Sequence, residues 1–248
     1  MRLDVILGPQ QLTPAEMTGR VVAVIDVLRA STTIAVALAN GARAVIPVES
    51  SDEAVQRAKS FGREHVRLAG ERRMRAVPGF DFGNSPAEFT SQAVRGKTVL
   101  LSTTNGTGAL LAVQGARDVV VAGYVNFSAA LALLRAALRG GTDVSVLCAG
   151  RERQFSLEDA ACAGRFVRHV RERFPEVELN DAAVAAELLD RRYDSQLDRL
   201  FTDAVHGRAL AGAGFAPDLA LCGAVDSHPV VPLFADRQIT KLGPERER

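Results

Sequence analysis

Four polar turns carry residues able to bind phosphate and a hard cation. The first is Asp26-Val27-Leu28-Arg29-Ala30-Ser31-Thr32-Thr33, where the apolar run 21–25 gives way to a helix-period segment. A helix N-terminus presents unpaired N–H groups and a positive dipole end, which together attract phosphate. Ser31 and Thr32 add hydroxyls there, and Arg29 adds a bidentate donor for an oxyanion. Asp26 can hold a metal ion or act as a nucleophile, and an acid at the end of a buried strand is costly without a use. The plainer reading has Ser31 or Thr32 capping the helix and Arg29 paired with a structural acid.

The second turn, Ser102-Thr103-Thr104-Asn105-Gly106-Thr107, opens another helix-period segment. Gly106 permits an anion-binding nest or a close backbone approach, against the plainer reading of an ordinary cap. The third is long and irregular: Gly70-Glu71-Arg72-Arg73 leads into Pro78-Gly79-Phe80-Asp81-Phe82-Gly83-Asn84-Ser85-Pro86. Long loops in compact domains are usually functional, so this one reads as a lid or a substrate wall. Ser85 before Pro86 also fits a simple N-cap. The fourth follows Cys148-Ala149-Gly150 and ends in Glu158-Asp159. Acids in a first helical turn complement the dipole, or one of the pair joins Asp26 in holding a hard cation.

These turns sit where an α/β sheet would place them. Short β-branched runs at 21–25, 44–48, 65–69, 98–101, 119–122 and 144–147 have the length and apolarity of strands buried on both faces. Between and after them lie helix-period segments at 32–40, 52–61, 86–95, 107–114, 128–139 and 157–173. Gly41, Gly62, Gly96, Gly115 and Gly140-Gly141 follow five of these, as C-terminal stops. The alternation predicts an α/β fold of largely parallel sheet flanked by helices, and ligands in such folds bind beyond the carboxyl ends of the strands. Beyond residue 175 the pattern changes. Residues 180–190 and 194–207 read as helices, 218–222 and 230–234 as short strands, and 241–248 as a charged tail. Residues 1–240 form either one domain or an α/β body with a smaller C-terminal lobe from about 175, the site lying in the cleft between lobes.

Composition narrows the function classes. Of 248 residues, 47% are hydrophobic, and 30 basic residues balance 29 acidic ones to a net charge of +1. That excludes wholesale disorder and advertises no affinity for nucleic acid or an anionic membrane. Three cysteines, Cys148, Cys162 and Cys222, make no disulfide framework and point to a reducing compartment, with cytoplasm as the default. No apolar run approaches the ~20 residues that span a bilayer. The chain has no P-loop, no G-x-G-x-x-G and no G-x-S-x-G. Position 28 is Leu, so Asp26 lacks the second acid of the paired-aspartate phosphatases. The scattered histidines disfavour zinc: His65, His169 and His206 read as structural or surface residues, and His228 alone sits in a polar turn.

Taken in order, the turns at Ile25–Thr33, Gly79–Pro86, Thr103–Thr107 and Cys148–Gly150 with Leu157-Glu158-Asp159 resemble the 2-phosphosulfolactate phosphatases of coenzyme M biosynthesis. The resemblance runs from about residue 3 to 235. It implies an Mg²⁺-dependent hydrolase that removes phosphate from (R)-2-phospho-3-sulfolactate, on an α/β fold with the site in a cleft. In that reading Asp26, Arg29, Asp81 and Glu158 are catalytic. Asp26 and one or more of Glu71, Asp81, Glu158 and Asp159 hold the Mg²⁺. Ser31, Thr32, Arg72, Asn84, Ser85, Thr103, Thr104, Asn105, Gly106, Thr107, Cys148 and Gly150 contact the substrate. Arg151 and Arg153 are further candidates for its carboxylate or sulfonate. Direct attack by water and a phospho-Asp26 intermediate both remain open. The alternatives are a phosphatase of another small phosphorylated acid and a non-catalytic binder of a phosphorylated metabolite. The partner is a small anion, with neither nucleic acid nor membrane, and homo-oligomerisation is left open.

Overall fold

The computed structural model describes residues 1–243 apart from Gln114 and Arg153. Its strands are β1 (Arg2–Ile6), β2 (Val21–Ile25), β3 (Ala44–Pro47), β4 (Val66–Arg72), β5 (Arg75–Ala76), β6 (Thr98–Ser102), β7 (Asp118–Ala122), β8 (Val144–Cys148), β9 (Glu178–Leu179), β10 (Pro232–Ala235) and β11 (Gln238–Lys241). Its helices are α1 (Pro14–Met17), α2 (Ala30–Ala39), α3 (Ser51–Ala58), α4 (Ser91–Val94), α5 (Gly106–Ala112), α6 (Phe127–Arg139), α7 (Leu157–Arg171), α8 (Asp181–Tyr193), α9 (Leu197–Asp203), α10 (Val205–Leu210) and α11 (Ala216–Cys222).

All eleven strands join one mixed, mostly parallel sheet in the order β5-β4-β6-β3-β11-β10-β7-β2-β8-β1-β9. Every residue of β2, β6 and β8 is buried, as expected of mainly apolar strands covered on both faces. Two parallel groups, β4-β6-β3 and β7-β2-β8-β1-β9, are joined by the antiparallel hairpin β10–β11. Three antiparallel steps separate the groups, so their strands run in opposite directions. A flat sheet would therefore put the carboxyl ends of β2 and β6 at opposite edges, five strand spacings or about 24 Å apart. Instead, a Cβ added at Gly106, just after β6, would lie 2.7 Å from Ala30 Cβ, just after β2. The sheet curls, as twisted sheets do, and the two sets of carboxyl ends converge on one cleft.

Several sequence expectations are corrected. Arg2–Ile6 form β1, an interior strand between β8 and β9 with Leu3 and Val5 buried. The 86–95 segment is a single 3₁₀ turn, Pro86–Glu88, followed separately by α4. The 194–207 segment breaks into α9 and α10 at Ala204, whose extended backbone caps both. Residues 218–222, read as a strand, belong to α11: Pro217 stands in its first turn, where a missing N–H costs nothing. Residues past 175 rejoin the common sheet, β9 beside β1 and the β10–β11 hairpin at its centre. Lys241 ends β11, and 244–248 of the expected tail lie outside the described residues. Among the described residues, no helix is long and apolar enough to cross a membrane.

Candidate active site

The turn after β2 folds onto itself. Asp26 N–H donates to Ser31 Oγ at 2.8 Å, Ser31 N–H returns to the Asp26 carbonyl at 2.9 Å, and Ala30 N–H reaches Asp26 Oδ1 at 3.3 Å. Thr32 Oγ1 donates to the Val27 carbonyl and Thr33 Oγ1 to that of Asn84. The hydroxyls of this motif therefore shape the turn, while Asp26 stands at the N-terminus of α2. Burial pushes the Asp26 carboxyl up to about 6. The positive field of His206 and the Ala30 N–H oppose that rise, and the charges of Glu71 and Glu158 add to it.

Arg29 is buried and pairs with Asp218 of α11 through an Nη1–Oδ2 contact of 2.6 Å. Its guanidinium lies 4.3 Å from the ring centroid of Phe215. Ser85 Oγ donates to the other Asp218 oxygen at 2.6 Å. The structural acid that the plainer reading required for Arg29 is thus Asp218, yet Arg29 also lines the cavity described below. Only one of its five N–H donors is taken by that acid.

The turn after β6 acts as a clamp. Thr103 and Thr107 bond each other through hydroxyls and backbone at 3.3–3.4 Å. Thr104 donates to Glu71 Oε1 from both its N–H (3.0 Å) and its hydroxyl (2.7 Å), and Glu71 Oε2 accepts from Met74 N–H at 2.8 Å. Arg73 and Met74 are the corner residues of the β4–β5 hairpin, with φ of 51° and 68°. Side-chain-bearing residues pay a steric penalty there, and the Glu71 bond helps hold the turn. Asn105 Oδ1 similarly accepts from the N–H of Glu152, whose φ is 52°. One loop therefore anchors two tight turns, and each presents an arginine, Arg73 or Arg151, to the same cavity.

The turn after β8 divides its two acids. Asp159 accepts from Val27 N–H at 2.8 Å and Gly150 N–H at 3.0 Å, locking the β2 and β8 turns together. Gly150 has φ of 71°, and a Cβ there would lie 2.0 Å from the Gln154 carbonyl, so only glycine fits. Burial, then the charges of Glu158 and Asp26, push the Asp159 carboxyl well above its ordinary value. Glu158, one helical step of 100° away, faces elsewhere and meets His206 Nδ1 at 3.1 Å. Cys148 is fully buried, and burial drives its thiol up.

A cavity of about 240 Å³ lies where these turns converge. It is lined by Asp26, Arg29, Glu71, Asn84, Thr103, Thr104, Asn105 and Arg151 among the sequence candidates, and also by Leu28, Arg73, Met74, Glu152, His206 and Leu210. The Asn84 Oδ1 atom is buried with no hydrogen-bond partner. Ser31, Thr32, Ser85, Gly106, Thr107, Cys148, Gly150, Glu158 and Asp159 are buried around the cavity without lining it. Two candidates lie apart. Asp81 is exposed and bidentate with Arg63; despite its partial burial, that pairing and the Leu68 N–H hold its carboxyl below its ordinary value. Arg72 turns to Ser102 Oγ and to backbone carbonyls. Arg153 lies outside the described residues. His228, the histidine of the polar turn, bonds Ser227 and does not line the cavity.

The model of the 2-phosphosulpholactate phosphatase family matches residues 6–237. The chain belongs to that family. A relative from Symbiobacterium thermophilum, named "Probable 2-phosphosulfolactate phosphatase", is 41% identical over 232 residues, spanning 93% of this chain and 98% of the relative. One from Caldanaerobacter subterraneus subsp. tengcongensis, with the same name, is 37% identical over 85% of this chain and 86% of its own. Another from Clostridium acetobutylicum, again with that name, is 31% identical over 96% of this chain and 100% of its own. As a member of this family the chain is a phosphoric monoester hydrolase. A buried acid and three arginines at one cavity are equipment that such chemistry uses.

The expected Mg²⁺ can be tested against the donors present. Among the described residues, no three acidic, histidine or cysteine side chains converge closely enough to cage a metal unaided. Mg²⁺ seldom asks for that: it keeps several waters and takes one or two carboxylates plus substrate phosphate oxygens. Asp26, Glu71 and the orphaned Asn84 Oδ1 are hard oxygen donors lining one cavity, and they fit that habit. Asp159 and Glu158 do not line the cavity: Asp159 accepts from the Val27 and Gly150 N–H groups, and Glu158 turns to His206.

Proposed function

We propose that this cavity hydrolyses (R)-2-phospho-3-sulfolactate to 3-sulfolactate and phosphate with Mg²⁺, the step of coenzyme M biosynthesis that the resemblance implies. The observation that carries this reading is a charge count. Arg29, Arg73 and Arg151 line one small cavity, and the substrate bears three anionic groups on a three-carbon frame. Asp26, Glu71 and Glu152 line it too, so the arginines are matched by acids before any substrate enters. An anion of several charges would meet Asp26 and Glu71 head-on unless a cation intervened. That conflict supports a divalent ion held by Asp26, Glu71 and Asn84.

When bound, Mg²⁺ supplies charge neutralisation for the phosphoryl oxygens. The chain's own residues do the rest. Arg29, fixed by Asp218 and Phe215, binds the phosphoryl group at the α2 N-terminus. Arg73 and Arg151 bind the carboxylate and sulfonate from their clamped turns. Water attacks phosphorus in line, and Asp26 takes its proton. Burial raises this carboxyl, the direction that accepting a proton requires. The competing route, attack by Asp26 itself, passes through a phospho-Asp26 acyl phosphate, which acid quench and borohydride reduction of Asp26 to homoserine would trap; a trapped adduct would refute direct attack by water.

The deciding experiment is phosphate release from 2-phosphosulfolactate, 2-phospholactate and 3-phosphoglycerate, each with Mg²⁺ and with a chelator. Metal-dependent release that favours the sulfonate is expected, with Arg73→Gln or Arg151→Gln erasing the preference. Preference for a carboxylate-only substrate would overturn the substrate assignment, and full activity in chelator would overturn the metal.

A further inference from the structure

We infer that His206, held by Glu158, is the general acid that protonates the leaving alcohol oxygen. The inference rests on the phosphatase reading above and assigns a residue to the half of the reaction that reading leaves open. Asp26 accounts for the attacking water, but the cleaved bond leaves an alkoxide, and an alkoxide is a poor leaving group without a proton.

The geometry at His206 meets that need. His206 lines the cavity from α10, the one histidine among the described residues that does. Its Nδ1 lies 3.1 Å from Glu158 Oε1. Glu158 is 1% exposed, so this contact takes place out of water. An ionised carboxylate only accepts hydrogen bonds, so the pairing puts the hydrogen on Nδ1 and fixes the ring orientation. Nε2 is then the ring nitrogen left for the cavity. A buried carboxylate behind an imidazole also stabilises the imidazolium form, which is the form that can donate. Leu210, one helical turn further along α10, lines the cavity beside it and adds an apolar wall. Asp26 lines the same cavity, and His206 is close enough for its charge to act on the Asp26 carboxyl.

The step balances as follows. The water oxygen forms a bond to phosphorus as the ester P–O bond breaks, and that bond's electron pair moves to the substrate's C2 oxygen. The His206 Nε2 proton joins this oxygen to give the alcohol. The proton lost by the water goes to Asp26, and its return to His206 through solvent resets the site. No redox change occurs. Glu158 touches no reacting atom and is a positioning residue.

The test compares two leaving groups. A p-nitrophenolate departs without a proton, whereas the alkoxide of 2-phosphosulfolactate or 2-phospholactate does not. His206→Gln should lower kcat on the alkyl substrates by about 10²–10⁴-fold and leave p-nitrophenyl phosphate within a few-fold. Glu158→Gln should give a smaller loss with the same selectivity, and the double variant should be no worse than His206→Gln. Imidazole added to His206→Ala should restore alkyl turnover and leave aryl turnover unchanged, a rescue that damaged folding would not show. Equal losses on both substrates, or none on the alkyl ones, would overturn the inference while leaving the phosphatase standing. Wild-type enzyme that releases no phosphate from either class would overturn both.

Discussion

Asp218→Asn isolates the electrostatic part of the buried Arg29–Asp218 pair. The side chains are 2% and 4% exposed, and Asp218 touches both Arg29 Nη1 and Ser85 Oγ at 2.6 Å. Asparagine keeps the shape, and the Ser85 hydroxyl can donate or accept, so both contacts can survive. What is lost is the counter-charge. Breaking a buried pair by removing one partner costs about 3–5 kcal/mol, because the remaining charge stays buried and unpaired. The Phe215 face, 4.3 Å from the guanidinium, still offers some compensation, which argues for the lower end, about 3 kcal/mol. In a chain of this size each kcal/mol moves Tm by roughly 2–4 °C, so a drop of about 6–12 °C is expected. Urea titration should show the midpoint falling with an unchanged slope. Arg29→Met combined with Asp218→Asn should recover part of the loss, since no orphaned charge remains. Inorganic phosphate should partly rescue Asp218→Asn, because an anion in the cavity can replace the missing charge. A loss below about 1 kcal/mol, or a double variant as unstable as the sum of the singles, would refute the argument.

Three further outcomes follow from the same geometry. Asp26→Asn should abolish turnover yet raise stability in chelator. The wild-type carboxyl rises from 3.8 to about 6 on folding, so the folded state binds the proton more tightly and stability falls as pH rises from about 4 to about 6. Above that window ionised Asp26 costs about 3 kcal/mol, so the variant should gain at pH 7 and lose its advantage near pH 4; a variant less stable at pH 7 would contradict this. Gly106→Ala should cut kcat at least tenfold, since its Cβ would lie 2.7 Å from Ala30 Cβ and 3.0 Å from Asp26 Oδ2, and wild-type kinetics would show that the cleft yields freely. Asp81→Asn should leave kcat within about two-fold and cost no more than about 1 kcal/mol, as an exposed pair does; a large kcat loss would return Asp81 to the catalytic set.

The sequence by itself determined the elements whose cause is local. Unbroken apolar runs such as 21–25 and 119–122 fit strands covered on both faces, and a charged or hydroxyl residue just beyond them then lies at a carboxyl end. Asp26, Arg29 and the 103–107 turn were visible for that reason. The tertiary structure decided which of those residues meet. Arg29 and Asp218 are 189 residues apart and Glu158 and His206 are 48 apart, with no spacing rule to connect them. Glu158 and Asp159 look equivalent in the chain. The 100° between helical neighbours sends one to an imidazole and the other to two backbone N–H groups. Asp81 and Arg72 have the right chemistry, but Arg63, ahead of β4, holds Asp81 outside the cavity, and Ser102, at the end of β6, does the same for Arg72. Above all, nothing local could reveal that β10–β11 enters the middle of the sheet and reverses one parallel group against the other. Strand order is set by burial summed over the whole chain, and the cleft forms where the curled sheet brings the carboxyl ends of its two opposed groups together.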